Sequence, residues 1–292
     1  MKIICIVGPT GVGKTKLSIM LAKYLDADIL NADSTQVFKD LNIATAKITE
    51  EEKEGIRHYL LDIKNIDEDY TVYDFQKDGR LILDDHIKNN KNIIIVGGTG
   101  LYIKALLYDY KFNNLDNSNQ YEDLSNEELY NRLLKIDPNT DIHINNRKRV
   151  IKALNYYISN NEPYSEKEKT DKLLYDVKFI GLTCPRDILY NNIDNRVDKM
   201  FEDGLEKEAY NIYKTGIKTK AVLTPIGYKE LFLYFDHELS LEDAIELIKR
   251  RSRHYAKRQY TWFLNQMDVK WFNVNFNKFN NTYNEVLKYL DI

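Results

Sequence analysis

The chain has 292 residues, with 42 Lys and Arg against 45 Asp and Glu, a formal charge of −3, 43% hydrophobic residues and 30% charged ones. That balance excludes a disordered chain, a collagen-like repeat and a coiled-coil rod, and it leaves room for one large domain or a domain carrying an insertion. No stretch reaches the ~18 apolar residues of a membrane helix, and the N-terminus lacks a signal-peptide pattern. The two cysteines, Cys5 and Cys184, lie in apolar runs, so a cytoplasmic protein with buried free thiols and no membrane partner is expected.

Residues 2–7 (KIICIV) are apolar and largely β-branched, the pattern of a strand buried on both faces of a parallel sheet. The strand runs into Gly8, Pro9, Thr10, Gly11, Val12, Gly13, Lys14 and Thr15, a G-x-x-x-x-G-K-T sequence. A helical pattern follows at 16–25, with Leu17, Met20, Leu21, Tyr24 and Leu25 on one face. Strand, glycine loop and helix together define a P-loop, the nucleotide- and phosphate-binding turn of ATP-dependent enzymes. Its glycines let backbone N–H groups converge on an anion at a positive helix end, Lys14 adds a point charge, and the Thr15 hydroxyl is a candidate Mg²⁺ ligand.

A second strand is expected at 27–32, ending at Asp33, Ser34, Thr35 and Gln36. The carboxyl ends of strands face the ligand crevice of an open α/β sheet, so Asp33 reads either as a carboxylate beside the phosphates or as a turn aspartate. A third apolar stretch covers 58–63. Thr71 and Asp74 form a capping box opening a helix to about Asn90. Residues 92–96 are another buried strand, followed by Gly97-Gly98-Thr99-Gly100, by itself as much a tight turn as a site. The stretch 111–120 is rich in Asn, Asp and Ser and reads as a linker. Helices follow at 125–136, boxed by Ser125 and Glu128, and at 145–159, the latter opening on Arg147, Lys148 and Arg149. No strand pattern interrupts this block.

The strand pattern returns at 177–183, then one long amphipathic helix carries Arg196, Met200, Leu205 and Tyr210, and a loop covers 224–228. Ser240 caps a helix running to about Phe263, whose core face is Ile245, Ile248, Ser252, Ala256, Gln259 and Phe263. Residues 246–262 hold six Lys or Arg against one Glu, interleaved with His254, Tyr255, Tyr260 and Trp262. That composition suits either an RNA backbone with stacked bases or an ordinary solvated face. The tail contributes a short helix. The expected architecture is α/β: a P-loop NTPase-like parallel sheet flanked by helices (1–113 and 176–292), interrupted by an all-helical insertion (114–175).

These blocks resemble one family, the bacterial tRNA dimethylallyltransferases (tRNA isopentenyltransferases). The likeness rests on GPTGVGKT, NADSTQVF, IATAK, VGGTGLYIKALL, NNRKRVIKAL, NRVDKMFEDGL, TPIGYKE and RHYAKRQYTWF, in that order across nearly the whole chain. The resemblance implies transfer of a dimethylallyl group from dimethylallyl diphosphate to N6 of the adenosine at tRNA position 37, by a monomer using Mg²⁺. It implies that residues 10–15 and Arg196 hold the diphosphate, that Asp33 is the general base, and that Thr99 bonds near the reacting base. It further implies tRNA contacts by Asp33, Ser34, Thr35, Gln36, Thr99, Asn145, Asn146, Arg147, Lys148 and Arg149. Others fall at Thr224, Gly227, Tyr228, Lys229, Arg250, Lys257, Arg258 and Gln259, with the insertion closing on the anticodon stem-loop. Gly11-Val12, Phe38 and Lys152 depart from frequent family residues, and Lys152 lacks the fork of an arginine. Rival readings are an adenylate isopentenyltransferase acting on AMP, a small P-loop kinase, and an ATP-gated RNA-binding module.

Overall fold

The computed structural model describes residues 1–112, 121–166 and 172–292, so most of the stretch read as a linker lies outside the described residues. Two compact units emerge: 1–107 with 173–292, and 108–172 between them.

The larger unit is built on six parallel strands: β1 (Ile3–Val7), β2 (Asp28–Asn31), β3 (His58–Tyr59), β4 (Ile93–Val96), β5 (Val177–Thr183) and β6 (Lys270–Asn273), in the order β3-β2-β4-β1-β5-β6. Strand β1 is central and pairs on both sides, Ile3 with Ile93 and with Val177. Helices cover both faces, which is why all five β1 residues are apolar and buried. Strand β6 was not anticipated. It is an edge strand in which only Phe272 is buried, too short and polar to show a strand pattern.

Helix α1 (Lys14–Leu25) follows the P-loop. Its buried side is Leu17, Ser18, Ile19, Leu21 and Ala22, so Tyr24, expected inward, stands 56% exposed. A short α2 (Glu50–Lys53) precedes β3. Helix α3 (Val72–Lys88) opens on the expected Thr71–Asp74 box and packs on α4 (Gly100–Leu107). In the smaller unit, α5 (Asn126–Ile136), boxed by Ser125 and Glu128, packs on α6 (Arg147–Asn160) through Leu129, Leu133, Val150, Ala153 and Leu154.

The single helix expected after β5 is two, α7 (Arg186–Glu202) and α8 (Leu205–Thr215). Gly204, at φ +100°, breaks it with a left-handed turn that side-chain-bearing residues rarely adopt. Helices α9 (Lys220–Leu223) and α10 (Tyr228–Phe235) follow. Then comes α11 (Leu241–Gln266), capped by the Ser240 side chain, and α12 (Phe279–Tyr289) closes the chain. Of the expected α11 core face, Ile248, Ala256, Gln259 and Phe263 are buried, joined by Ala244. Among the described residues no helix is long and apolar enough to cross a membrane, and both cysteines are free thiols.

Candidate active site

The carboxyl ends of β1, β2 and β4 open onto a cavity of ≈ 580 Å³ within the larger unit. Its wall brings together Thr10, Lys14 and Thr15 of the P-loop, the Asp33–Gln36 segment, Gly98, Arg196 of α7, and Arg258 and Gln259 of α11. Ile193, Val197 and Met200 share a face of α7 with Arg196 and join Ile48, Ile226 and Ile248 as an apolar lining. In the chain that i, i+3, i+4, i+7 spacing shows only as amphipathicity, which does not tell a cavity wall from a core face.

The P-loop backbone is pinned by its first glycine. Gly8 has φ +140°, and a Cβ there would lie 2.5 Å from the Leu182 carbonyl oxygen of β5. The Lys14 ammonium donates to the carbonyls of Gly8 (3.0 Å) and Pro9 (2.8 Å). Burial pulls its pKa down to about 7; the Arg196 charge acts the same way and Asp33 opposes both. Arg196 donates to Thr10 Oγ1 (2.7 Å), and its own pKa is lowered by burial against the pull of Asp33 and Glu52. Thr15 remains exposed on the cavity wall.

Asp33 is anchored through one oxygen. Its Oδ1 accepts from the Thr35 backbone N–H (3.0 Å) and hydroxyl (2.7 Å). Among the described residues no donor meets Oδ2. Asp33 thus builds a turn and also faces the cavity. Thr99 does not line the cavity. Its oxygen accepts the Ser34 backbone N–H (3.1 Å) and it donates to the Ser34 hydroxyl (3.2 Å), so it holds the segment bearing Asp33 in place. Gln36 also lines the cavity and spends its amide N–H groups on the carbonyls of Thr45 and Ala46.

The remaining expected RNA contacts divide by surroundings. Arg250, Lys257, Arg258, Thr224 and Lys229 are exposed on the larger unit. Half of the α11 cations are spent internally: Lys249 pairs with Asp198 (2.7 Å), Arg253 with Asp194 (2.6 Å), and Arg251 with the fully buried Glu230. Two of the expected contacts lie inside the protein. Tyr228 is fully buried and donates to Glu208 (2.7 Å), which also receives the N–H groups of Ile43 and Ala44. Gln259 is only 5% exposed, with both ends of its amide engaged inside the protein. Gly227 is buried as well. In the smaller unit Asn145, Lys148 and Arg149 are exposed and Asn146 caps α6, whereas Arg147 gives its guanidinium to the carbonyls of Tyr121 and Leu124.

A P-loop on a parallel sheet, with Lys14, Arg196 and Asp33 around one crevice, defines the class: an α/β protein of P-loop-like fold. The particular lineage follows from comparison. A model of the IPP transferase family matches residues 36–266. The chain is 47% identical to the tRNA dimethylallyltransferase of Anoxybacillus flavithermus, covering 99% of this chain and 96% of that protein. It is 44% identical to that of Bacillus cereus, covering 99% and 94%. The solved tRNA isopentenylpyrophosphate transferase of Staphylococcus epidermidis matches with a TM-score of 0.76 at 37% identity over 100% of this chain and 99% of that one. A eukaryotic dimethylallyltransferase acting on tRNA matches at 0.85 and 30% identity over 98% and 77%. The chain belongs to the IPP transferase family.

Proposed function

We propose that the protein transfers the dimethylallyl group of dimethylallyl diphosphate to N6 of adenosine 37 in tRNAs reading codons that begin with U, releasing diphosphate. The observation that carries this reading is the single cavity in which Lys14, Arg196, an apolar wall and Asp33 meet. A kinase needs the cations but has no use for the apolar lining. An enzyme acting on AMP has no use for the exposed cations of α11.

The P-loop N–H groups, Lys14 and Arg196 bind the diphosphate as charge builds on the leaving oxygen. Ile193, Val197 and Met200 receive the five-carbon chain and exclude water from the allylic carbon. Adenine N6 is a weak nucleophile because its lone pair is delocalised into the ring. Asp33 Oδ2 accepts an N6–H bond and takes that proton as the N6–C1 bond forms and the C1–O bond breaks. The adenosine leaves its stack to reach the cavity, while Arg250, Lys257 and Arg258 neutralise backbone phosphates of the anticodon stem-loop. Lys148 and Arg149 offer further cations from the helical unit.

Magnesium fits this donor set. Among the described residues no cluster of three His, Cys, Asp or Glu could cage a metal, and Mg²⁺ is commonly held by substrate phosphates, water and one or two protein oxygens. Thr15 would hold it. Bound there, the ion would neutralise charge on the diphosphate.

The test mixes the protein with Mg²⁺, dimethylallyl diphosphate and unmodified tRNA, then weighs the nucleosides. A gain of C5H8 on adenosine in tRNA and none on AMP is expected. An unmodified tRNA with ATP consumed instead overturns the reading.

A further inference from the structure

Helix α11 turns its exposed cations outward, yet two of its polar side chains point the other way. Gln259 is buried and its one amide spans two loops: Oε1 accepts the Thr10 backbone N–H (2.9 Å) and Nε2 donates to the Gly98 carbonyl (3.1 Å). One helical turn earlier, the half-buried Tyr255 lines the cavity wall beside Thr99 and Gln259 and feels the charge of Asp33, desolvation being the main cause of its raised pKa. Thr10 is the residue whose hydroxyl receives Arg196, and Thr99 is the residue that receives the Ser34 N–H beside Asp33. One turn of α11 therefore touches both the partner of the diphosphate-binding arginine and the support of the catalytic carboxylate.

From this geometry we infer that Gln259, with Tyr255 beside it, is a positioning residue that sets the distance between the diphosphate site and Asp33. The Thr10 N–H is consumed by this contact and is not part of the anion cradle. A carboxamide suits the position because the site needs one acceptor and one donor in a fixed plane. A leucine would leave the Thr10 N–H and the buried Gly98 C=O without their partner. A glutamate would keep the acceptor but set a carboxylate oxygen against the Gly98 carbonyl. The fit is tight from the opposite side too, since a Cβ at position 98 would lie 2.1 Å from the Gln259 amide nitrogen.

The kinetic arm of the test rests on the prenyl transfer proposed above, and the binding arm does not. Gln259→Leu in the full chain is expected to weaken calorimetric binding of Mg²⁺ and inorganic diphosphate about tenfold, the loss of a buried hydrogen bond with its partners left unpaired. It is expected to lower kcat about 10- to 100-fold through misalignment, with tRNA affinity in filter binding unchanged. Gln259→Glu is expected to regain activity relative to wild type between pH 8 and pH 6, because a protonated carboxyl can donate to Gly98 as the amide does. That pH signature survives even if the leucine variant fails to fold, and its absence overturns the proposal. Unchanged diphosphate affinity and kcat in Gln259→Leu also overturn it, as does a loss confined to tRNA affinity, which would make Gln259 an RNA contact. A wild type that binds diphosphate but transfers nothing overturns the reading of the reaction; the ratio of diphosphate affinities still decides the role of Gln259, and a ratio near one rejects it.

Discussion

Two glycine-rich loops leave neighbouring strands of the same sheet, GPTGVGKT after β1 and GGTG after β4, and their glycines answer different demands. In the first the backbone itself is the functional surface. Gly8 needs a positive φ and has a carbonyl of β5 where a Cβ would go, so the loop can present N–H groups and Lys14 to an anion. In the second, Gly97 meets backbone much as Gly8 does, a Cβ there lying 2.3 Å from the Ala32 carbonyl oxygen, but the next two glycines answer the close approach of a helix: a Cβ on Gly98 would meet Gln259, and one on Gly100 would lie 2.1 Å from the Trp262 ring. The first loop turns its backbone and Lys14 toward the cavity, and the second lets α11 settle against the sheet. Glycine content alone does not separate these roles; what lies opposite each Cα does.

The largest effect should come from the carboxylate between the loops. Asp33→Ala is expected to lower single-turnover prenyl transfer by ~10²–10⁴, the range for losing a general base, with tRNA affinity within a few-fold. An unchanged rate removes Asp33 from that role.

The loops themselves can be set against each other. Gly8→Ala forces a side chain into a positive-φ position against backbone that cannot yield, and is expected to cost ~1–3 kcal/mol in thermal unfolding together with diphosphate binding. Gly98→Ala pushes only on the tip of a side chain, which can swing away. It is expected to cost less stability than Gly8→Ala, because only the two Gln259 hydrogen bonds are lost, while reproducing the diphosphate-binding loss of Gln259→Leu. Equal destabilisation by the two substitutions would erase the distinction.

The buried ammonium gives the first loop a pH signature. With the Lys14 pKa held at about 7, the folded protein sheds this proton well before the unfolded chain does. Diphosphate affinity should therefore fall as pH rises through 7, with proton uptake on binding at pH 8 in calorimetry. Folding stability should change in the opposite sense. Above pH 7 the unfolded state binds more protons at this site, so its contribution to unfolding free energy rises with pH until the unfolded lysine titrates near ~10.4. Lys14→Met should abolish both slopes, and their persistence would assign them to another group.

The smallest effects concern α11. Arg250→Ala and Lys257→Ala are each expected to reduce the salt slope of tRNA binding by about one, whereas Lys249→Ala and Arg253→Ala, already paired with Asp198 and Asp194, should change it little. Equal slopes for all four would mean that the ion pairs open when RNA binds.

Much of this architecture was legible in the chain. Strands β1 and β4 are continuous apolar runs, and β5 nearly so apart from the exposed Lys178, because both sheet faces are covered. The capping boxes at Thr71 and Ser125 mark helix starts with partners three residues away. Strand β6 was not legible, because an edge strand with one buried residue shows no pattern. The break at Gly204 was missed because amphipathicity continues on either side of it.

Within the site, the P-loop, the Asp33–Gln36 segment and Arg196 meet at one cavity, but other residues named from the same motifs lie outside it. Glycine spacing, charge and periodicity determined that a phosphate loop, a strand-end carboxylate and a cationic helix exist, since each depends on residues within a turn or two of one another. Only the tertiary structure decided that Tyr228 faces inward, that Gln259 on the core face of α11 meets Thr10 and Gly98, that Thr99 supports the Asp33 segment from outside the cavity, and that half of the α11 cations are neutralised by carboxylates of other helices. A side chain's partner is whatever the fold places opposite it, and for Gln259 those partners, Thr10 and Gly98, lie 249 and 161 residues away.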